Sequence, residues 1–213
     1  MAILDWIIGV IRDPGELIRW GGYPGLSLVV FAETGALIFF LPGDSLLVMA
    51  GVYAAKGDLS MWWLNGLLIP AASLGGVTSY WLANRIGPKL FTSSDSRLLK
   101  PEYLVAAHAF YEKHGGKAIV LARFLPIVRT FVPVVAGAAR MDYKRYTFFN
   151  VIGAAAWVLS MTLIGYALGT SVPNLEKHIE KVAIIVIAVS LLPGFIGWMR
   201  HRRAKAAAAP PGA

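Results

Sequence analysis

The chain has 213 residues, of which 57% are hydrophobic and only 15% charged, with a mean hydropathy of +0.61. Soluble domains carry roughly 25% charged residues, so the composition excludes a soluble globular protein and indicates a membrane protein. The formal charge of +8 then reflects topology and contact with anionic headgroups rather than a nucleic-acid partner, and the lack of cysteine excludes a disulfide framework and thiolate metal ligands.

Residues 1–22 read as a short interfacial amphipathic helix, with Arg12 and Arg19 among apolar residues and a break at Asp13-Pro14-Gly15. This segment has neither a basic n-region nor a small-residue cleavage site and is not expected to be a signal peptide. Residues 23–200 are expected to form one membrane domain. It opens with an apolar run over 24–55, interrupted by Glu33 and by Leu41-Pro42-Gly43-Asp44. Pro-Gly is a strong turn signal. Each arm falls short of the ~20 residues a crossing needs, yet ~10 helical residues reach the middle of the bilayer. The expectation is a re-entrant hairpin with Pro42 and Gly43 at its tip; a transmembrane helix kinked at Pro42 is the other reading.

Residues 61–87 are expected to cross the membrane, and 88–116, polar and charged, to lie at the cytoplasmic face as a loop plus an amphipathic helix. The run 117–140 contains "RFLPIVRTFVP" (123–133), interrupted by Pro126 and Pro133, and reads as a second hairpin. Crossings over 143–169 and 182–199 flank a polar loop at 170–180. The tail 201–213 is expected to be disordered.

The two hairpins look like copies. Phe40-Leu41-Pro42 leading to Ala50-Gly51 resembles Phe124-Leu125-Pro126 leading to Ala136-Gly137, with a gap of two residues; Asp58 and Asp142, Asn65 and Asn150, and Tyr80 and Tyr166 then follow in the same order. A hairpin that returns to its own side plus one crossing helix makes an odd number of crossings, so two such units in a row are inverted relative to each other. The expected fold is therefore an all-α polytopic membrane protein of two inverted repeats, each a re-entrant helical hairpin plus a transmembrane helix, with an extra C-terminal transmembrane helix. With 182–199 as the last crossing, the side holding the tail and the 85–117 region carries thirteen of the 20 lysines and arginines, against five on the other. The positive-inside rule makes that side, and the C-terminus, cytoplasmic.

Four ionisable residues fall at membrane depth, Glu33 and Asp44 in the first half and Arg123 and Arg129 in the second. Unpaired, they would cost on the order of 10 kcal/mol together. Their charges sum to zero and each hairpin holds one sign, so opposed hairpins would bring carboxylates and guanidiniums together. Arg123 and Arg129 would point ~120° apart on an unbroken helix, but Pro126 between them breaks it and allows convergence. The freed backbone must then face protein or a wet cavity. Paired guanidiniums beside helix N-termini make an anion site for phosphate or carboxylate. Glu33 and Asp44 are candidates to compete with that anion, to gate the site and to take up protons. The plainer reading is a set of salt bridges that fixes hairpin packing.

The segments "FAETGALIFFLPGDSLLVMAG" (31–51), "ARFLPIVRTFVPVVAG" (122–137) and "GYALG" (165–169) resemble the DedA family of bacterial inner-membrane proteins, also called SNARE-associated or VTT-domain proteins. The resemblance covers roughly residues 20–200. In that family an acidic residue and a Gly-Asp of the first hairpin match Glu33 and Asp44, and the arginines of an R-F-x-P-x-x-R-T motif match Arg123 and Arg129. The resemblance implies re-entrant hairpins in inverted repeats and a role in membrane-lipid homeostasis, including flipping of undecaprenyl phosphate back to the cytoplasmic face, with dependence on the proton-motive force in several members. It implies a lipid phosphate as substrate, held by Arg123 and Arg129, with bilayer lipids as the other partners. Related eukaryotic domains are described as phospholipid scramblases.

Other functions use the same residues differently. In a proton-coupled exporter of small molecules or cations, the carboxylates are the primary site and the arginines their counter-charges. An enzyme is not expected. The four histidines (His108, His114, His178, His201) lie in polar segments or the tail, and there is no H-E-x-x-H or G-x-S-x-G, so no catalytic residue, metal ligand or cofactor is assigned. An assembly role would use Gly165 and Gly169 as a G-x-x-x-G face, which leaves a homo-oligomer open. Trp62, Trp63 and Trp157 read as interfacial anchors or packing residues.

Overall fold

Within residues 14–35, 43–90 and 115–171, the parts of the chain that the computed structural model describes, every regular element is a helix. These are α1 (Pro14–Gly35), α2 (Gly43–Ala55), α3 (Met61–Leu90), α4 (Lys117–Ala122), α5 (Pro126–Ala138) and α6 (Tyr143–Ser171). Expectations for residues 1–13, Pro42, most of the 88–116 segment, the 182–199 crossing and the tail fall outside the described residues.

α1 is described from Pro14 onward, and the part of the expected Asp13-Pro14-Gly15 break that falls within it, Pro14 and Gly15, is helical. The boundary expected at residue 22 is a bend within the helix. Gly22 has φ 50° and ψ −145°, a backbone state open to glycine and costly for any residue with a Cβ, and Pro24 follows it. The bend is pinned by Tyr23, whose hydroxyl oxygen accepts a 2.7 Å hydrogen bond from the Ser60 N–H just before α3.

α3 and α6 set the long axis. The stretch Met61–Ile86 has 26 residues and Tyr143–Ser171 has 29, and both are long and apolar enough to cross a membrane. At ~1.5 Å per residue each exceeds the ~30 Å hydrocarbon layer. Their exposed faces carry Trp62, Trp63, Leu74, Phe148, Leu159 and Leu163, side chains that lipid tolerates. Arg85 stacks on Trp81 at 4.0 Å near the far end of α3.

The chain breaks before Pro126, where the sequence indicates it. Arg123 caps the short α4, and Leu125 is extended (φ −112°, ψ 108°) because a residue preceding proline is driven out of the helical region. α5 starts at Pro126 and runs straight through Pro133, contrary to the expected second break. Pro133 deprives the Arg129 carbonyl of its helical partner, at ~3 kcal/mol in a free helix. Packing on α3 offsets that cost: Ala136 joins the cluster around Tyr80, and Gly137 lies against the Tyr80 carbonyl.

α2 is apolar on all sides and buried over nearly its whole length, as such a helix must be. It lies along α6, where Gly51 faces the backbone of Thr162 and Tyr166, Gly165 faces Val48 and Gly169 faces Val52 and Ala55. The Gly165/Gly169 face is thus used inside the chain, which overturns its reading as an assembly surface. A Cβ at Gly165 would overlap the Val48 carbonyl, so Gly165→Ala is expected to lower stability by about 1–3 kcal/mol. Thermal unfolding in detergent checks this; an unchanged midpoint would mean that α2 and α6 do not meet this closely.

Candidate functional site

Asp44, Arg123 and Arg129 lie near helix ends. Asp44 is in the first turn of α2, where the helix dipole favours an anion, and Glu33 is on α1, two residues before its last described residue. Arg123 caps α4 and Arg129 is three residues into α5. All four are buried, none more than 7% exposed.

The guanidinium fork of Arg129 is divided between the two carboxylates. Nη1 donates to Asp44 Oδ1 at 2.5 Å, and Nη2 donates to Glu33 Oε1. Trp157 of α6 completes the group: its indole N–H donates to the same Asp44 oxygen at 2.7 Å, and the guanidinium carbon lies 4.6 Å from the ring centroid. An isolated charge here would be prohibitively costly, whereas a hydrogen-bonded cluster of opposite signs is tolerable. The cluster is not fully satisfied. Glu33 Oε2 and Arg129 Nε are buried without a hydrogen-bond partner among the described residues.

Gly43, expected at the hairpin tip, also makes room for Glu33. It is the first residue of α2, and its missing side chain is the space that the Glu33 carboxylate fills. A Cβ there would coincide with Glu33 Oε2.

Among the described residues, Arg123 is not held by a carboxylate. Its Nη2 donates to Asn150 Oδ1 at 2.5 Å and to the Ala72 carbonyl at 3.2 Å. Asn150 in turn donates to the Ser73 carbonyl at 2.9 Å, so one amide ties the arginine to the backbone of α3. The Tyr146 hydroxyl donates to the Gly76 carbonyl at 3.0 Å beside it, and Tyr80 stacks on Tyr146 at 4.5 Å. Gly76 and Gly153 leave room for the guanidinium and for Cγ of Arg123. The expectation that both arginines meet carboxylates is therefore met by Arg129 alone. The turn at Leu125 carries Arg129 toward α1 and α2, and leaves Arg123 between α3 and α6.

Sequence reasoning passed over three residues of this site. Trp157, read as an anchor or packing residue, is fully buried and bonded to Asp44, unlike the exposed Trp62 and Trp63. Asn150 was a mark of the repeat, and Tyr146 carried no role. The signal was there: Tyr146, Asn150, Gly153 and Trp157 are spaced i, i+4, i+7, i+11, one face of α6, with polar groups facing inward.

Chemically, the site is a buried guanidinium whose ligands are two carboxylates, beside a second guanidinium whose ligands among the described residues are neutral. Carboxylate and phosphate oxygens match the same fork, so one can replace the other.

Residues 41–167 match the family model of the VTT domain. The chain is 43% identical to Protein DedA of Escherichia coli (strain K12) over 213 aligned residues, covering 97% of each chain. It is 42% identical over 180 residues to uncharacterized membrane protein ML0287 of Mycobacterium leprae (strain TN), covering 84% of this chain and 81% of that one. Inner membrane protein YqjA of Escherichia coli (strain K12) is 37% identical over 179 residues, covering 81% of this chain and 80% of the relative. No solved structure matches the chain. With a family match over more than half its length and a relative aligned almost end to end, this all-helical membrane protein belongs to the DedA family of VTT-domain proteins.

Proposed function

We propose that the protein is a flippase for a lipid phosphate, with undecaprenyl phosphate returning to the cytoplasmic leaflet of the bacterial inner membrane as the leading substrate, and that movement is linked to the proton-motive force. The observation that carries this reading is the Arg129 fork, buried and filled by Glu33 and Asp44. A phosphate monoester presents the same paired oxygens as the carboxylates it would displace. Arg123 adds a positive charge that has no carboxylate partner among the described residues, and the isoprenoid tail stays in lipid between the helices.

Inverted repeats with re-entrant hairpins are part of the proposal, and the packing supports it. α2 of the first half lies on α6 of the second, and α5 of the second half lies on α3 of the first. The matching glycines meet matching tyrosines: Gly51 faces Tyr166 of α6, and Gly137 faces Tyr80 of α3. α2 and α5 have 13 residues each, ~20 Å, too short to cross ~30 Å of hydrocarbon. The C-terminus is cytoplasmic in this arrangement.

A second reading has one observation in its favour. The Glu33–Asp44–Arg129 cluster carries a net negative formal charge, and Glu33 Oε2 has no donor among the described residues, which suits a cation exporter. The test is leaflet accessibility of a labelled polyprenyl phosphate in proteoliposomes, with and without a proton gradient. Wild type is expected to move the lipid and Arg123→Ala to lose at least ten-fold in rate, or about 1.4 kcal/mol of barrier. If wild type moves none, the lipid-phosphate reading fails and cation flux is the assay to run; equal movement of labelled phosphatidylethanolamine would mean a scramblase.

A further inference from the structure

Glu33 and Asp44 hold one guanidinium but are themselves held differently. Asp44 Oδ1 accepts from Arg129 Nη1 at 2.5 Å and from Trp157 Nε1 at 2.7 Å. Asp44 also sits in the first turn of α2, where free backbone N–H groups and the helix dipole favour its negative charge. Glu33 has one oxygen on Arg129, and the other is buried against Gly43 without a donor among the described residues. The hydrogen-bond inventory and the first turn of α2 therefore point the same way.

The other groups around Glu33 do not cancel this difference. The charges acting on it are Arg129 on α5, Asp44 on α2 and Arg123 at the end of α4. α3, packed against the end of α1, presents Gly75 to Thr34 and Gly35, and Ser79, whose hydroxyl donates to the Gly35 carbonyl at 2.6 Å. α6 presents Trp157, whose N–H is already committed to Asp44.

We infer that Glu33 is the carboxylate that takes up a proton and releases Arg129, that Asp44 stays bound as a fixed ligand, and that Trp157 is the positioning residue that sets this division. The inference rests on the reading that the fork exchanges a carboxylate for a phosphate. The proton adds to a Glu33 oxygen, the contact to Nη2 opens, and Nη2–H turns to a phosphate oxygen while Nη1–H stays on Asp44. Loss of the proton from Glu33 restores its bond to Arg129 and expels the anion. Arg129 keeps its own protons throughout. Trp157 touches neither proton nor phosphate; its N–H occupies the Asp44 oxygen that also holds Arg129, and its ring covers the guanidinium face.

Infrared difference spectra of the protein in lipid nanodiscs, taken as the pH is lowered, test this without any transport. The first carbonyl band of a protonated buried carboxylic acid in wild type is expected to vanish in Glu33→Gln and persist in Asp44→Asn. In Trp157→Phe a second such band should rise beside it, and vanish when Asp44→Asn is added. Benzothienylalanine at position 157 keeps the ring system and removes only the N–H; it should behave as phenylalanine does, and it replaces that variant if Trp157→Phe does not fold. The inference is overturned if the first band is lost in Asp44→Asn and kept in Glu33→Gln, or if the N–H can be removed without a second band. Farnesyl phosphate added at constant pH should raise the Glu33 band. If that arm alone fails while the titration order is as expected, the phosphate reading falls and the division between the carboxylates stands.

Discussion

Arg129→Ala is expected to cost about 3–5 kcal/mol of stability and to abolish lipid-phosphate movement, because it leaves two carboxylates buried side by side with no counter-charge. Glu33 and Asp44 both depend on this one fork, and in the described residues only Trp157 offers Asp44 a second side-chain donor. A stability loss alone does not identify a functional arginine, so the companion variant matters. Arg129→Leu combined with Glu33→Gln and Asp44→Asn removes all three charges, and replacing a buried ionic cluster by neutral groups is often close to neutral. It should regain most of the stability and none of the transport. The measurements are unfolding in detergent and leaflet accessibility in proteoliposomes. A triple variant that moves the lipid would reduce the cluster to a packing device.

Gly43→Ala should be nearly as damaging, although it adds a single methyl group. The added Cβ falls on Glu33 Oε2 and 2.6 Å from the carboxyl carbon, far inside contact distance, so the carboxylate must leave its place on Arg129 or α2 must shift. The expected cost is about 1–3 kcal/mol, with a loss of transport comparable to that of Glu33→Ala. The mechanism gives a sharper expectation in a double-mutant cycle. Once Glu33→Ala has emptied the space, Gly43→Ala should cost almost nothing more, a coupling of about 0.5–3 kcal/mol. Additive effects of the two changes would sink this account and return Gly43 to the role of a turn residue.

Some of this arrangement was legible in the chain because its causes are local. Long uncharged apolar runs make the crossing helices α3 and α6, and their starts at residues 61 and 143 follow from the polar residues just before them. The restriction that proline places on the preceding residue makes the break at Leu125. The rule that buried charge needs compensation singled out Glu33, Asp44, Arg123 and Arg129 from composition and depth alone. Pro133 misled for the complementary reason: a local penalty of a few kcal/mol is reversible by packing that the local sequence does not contain.

What the sequence by itself determined is the two long crossing helices, the break at Pro126 and the four charges that must be accommodated between them. Which groups accommodate which was decided by the tertiary structure. The contacts that define the site join residues 85, 96 and 113 positions apart, from Arg129 to Asp44, Arg129 to Glu33 and Trp157 to Asp44. At such separations the partner is chosen by how α1, α2, α5 and α6 cross, and those crossings are set by glycine contacts such as Gly51 and Gly165 between α2 and α6. Arg129 consequently receives both carboxylates and Arg123 receives Asn150, an asymmetry between two arginines that are equivalent in the motif and that only packing separates.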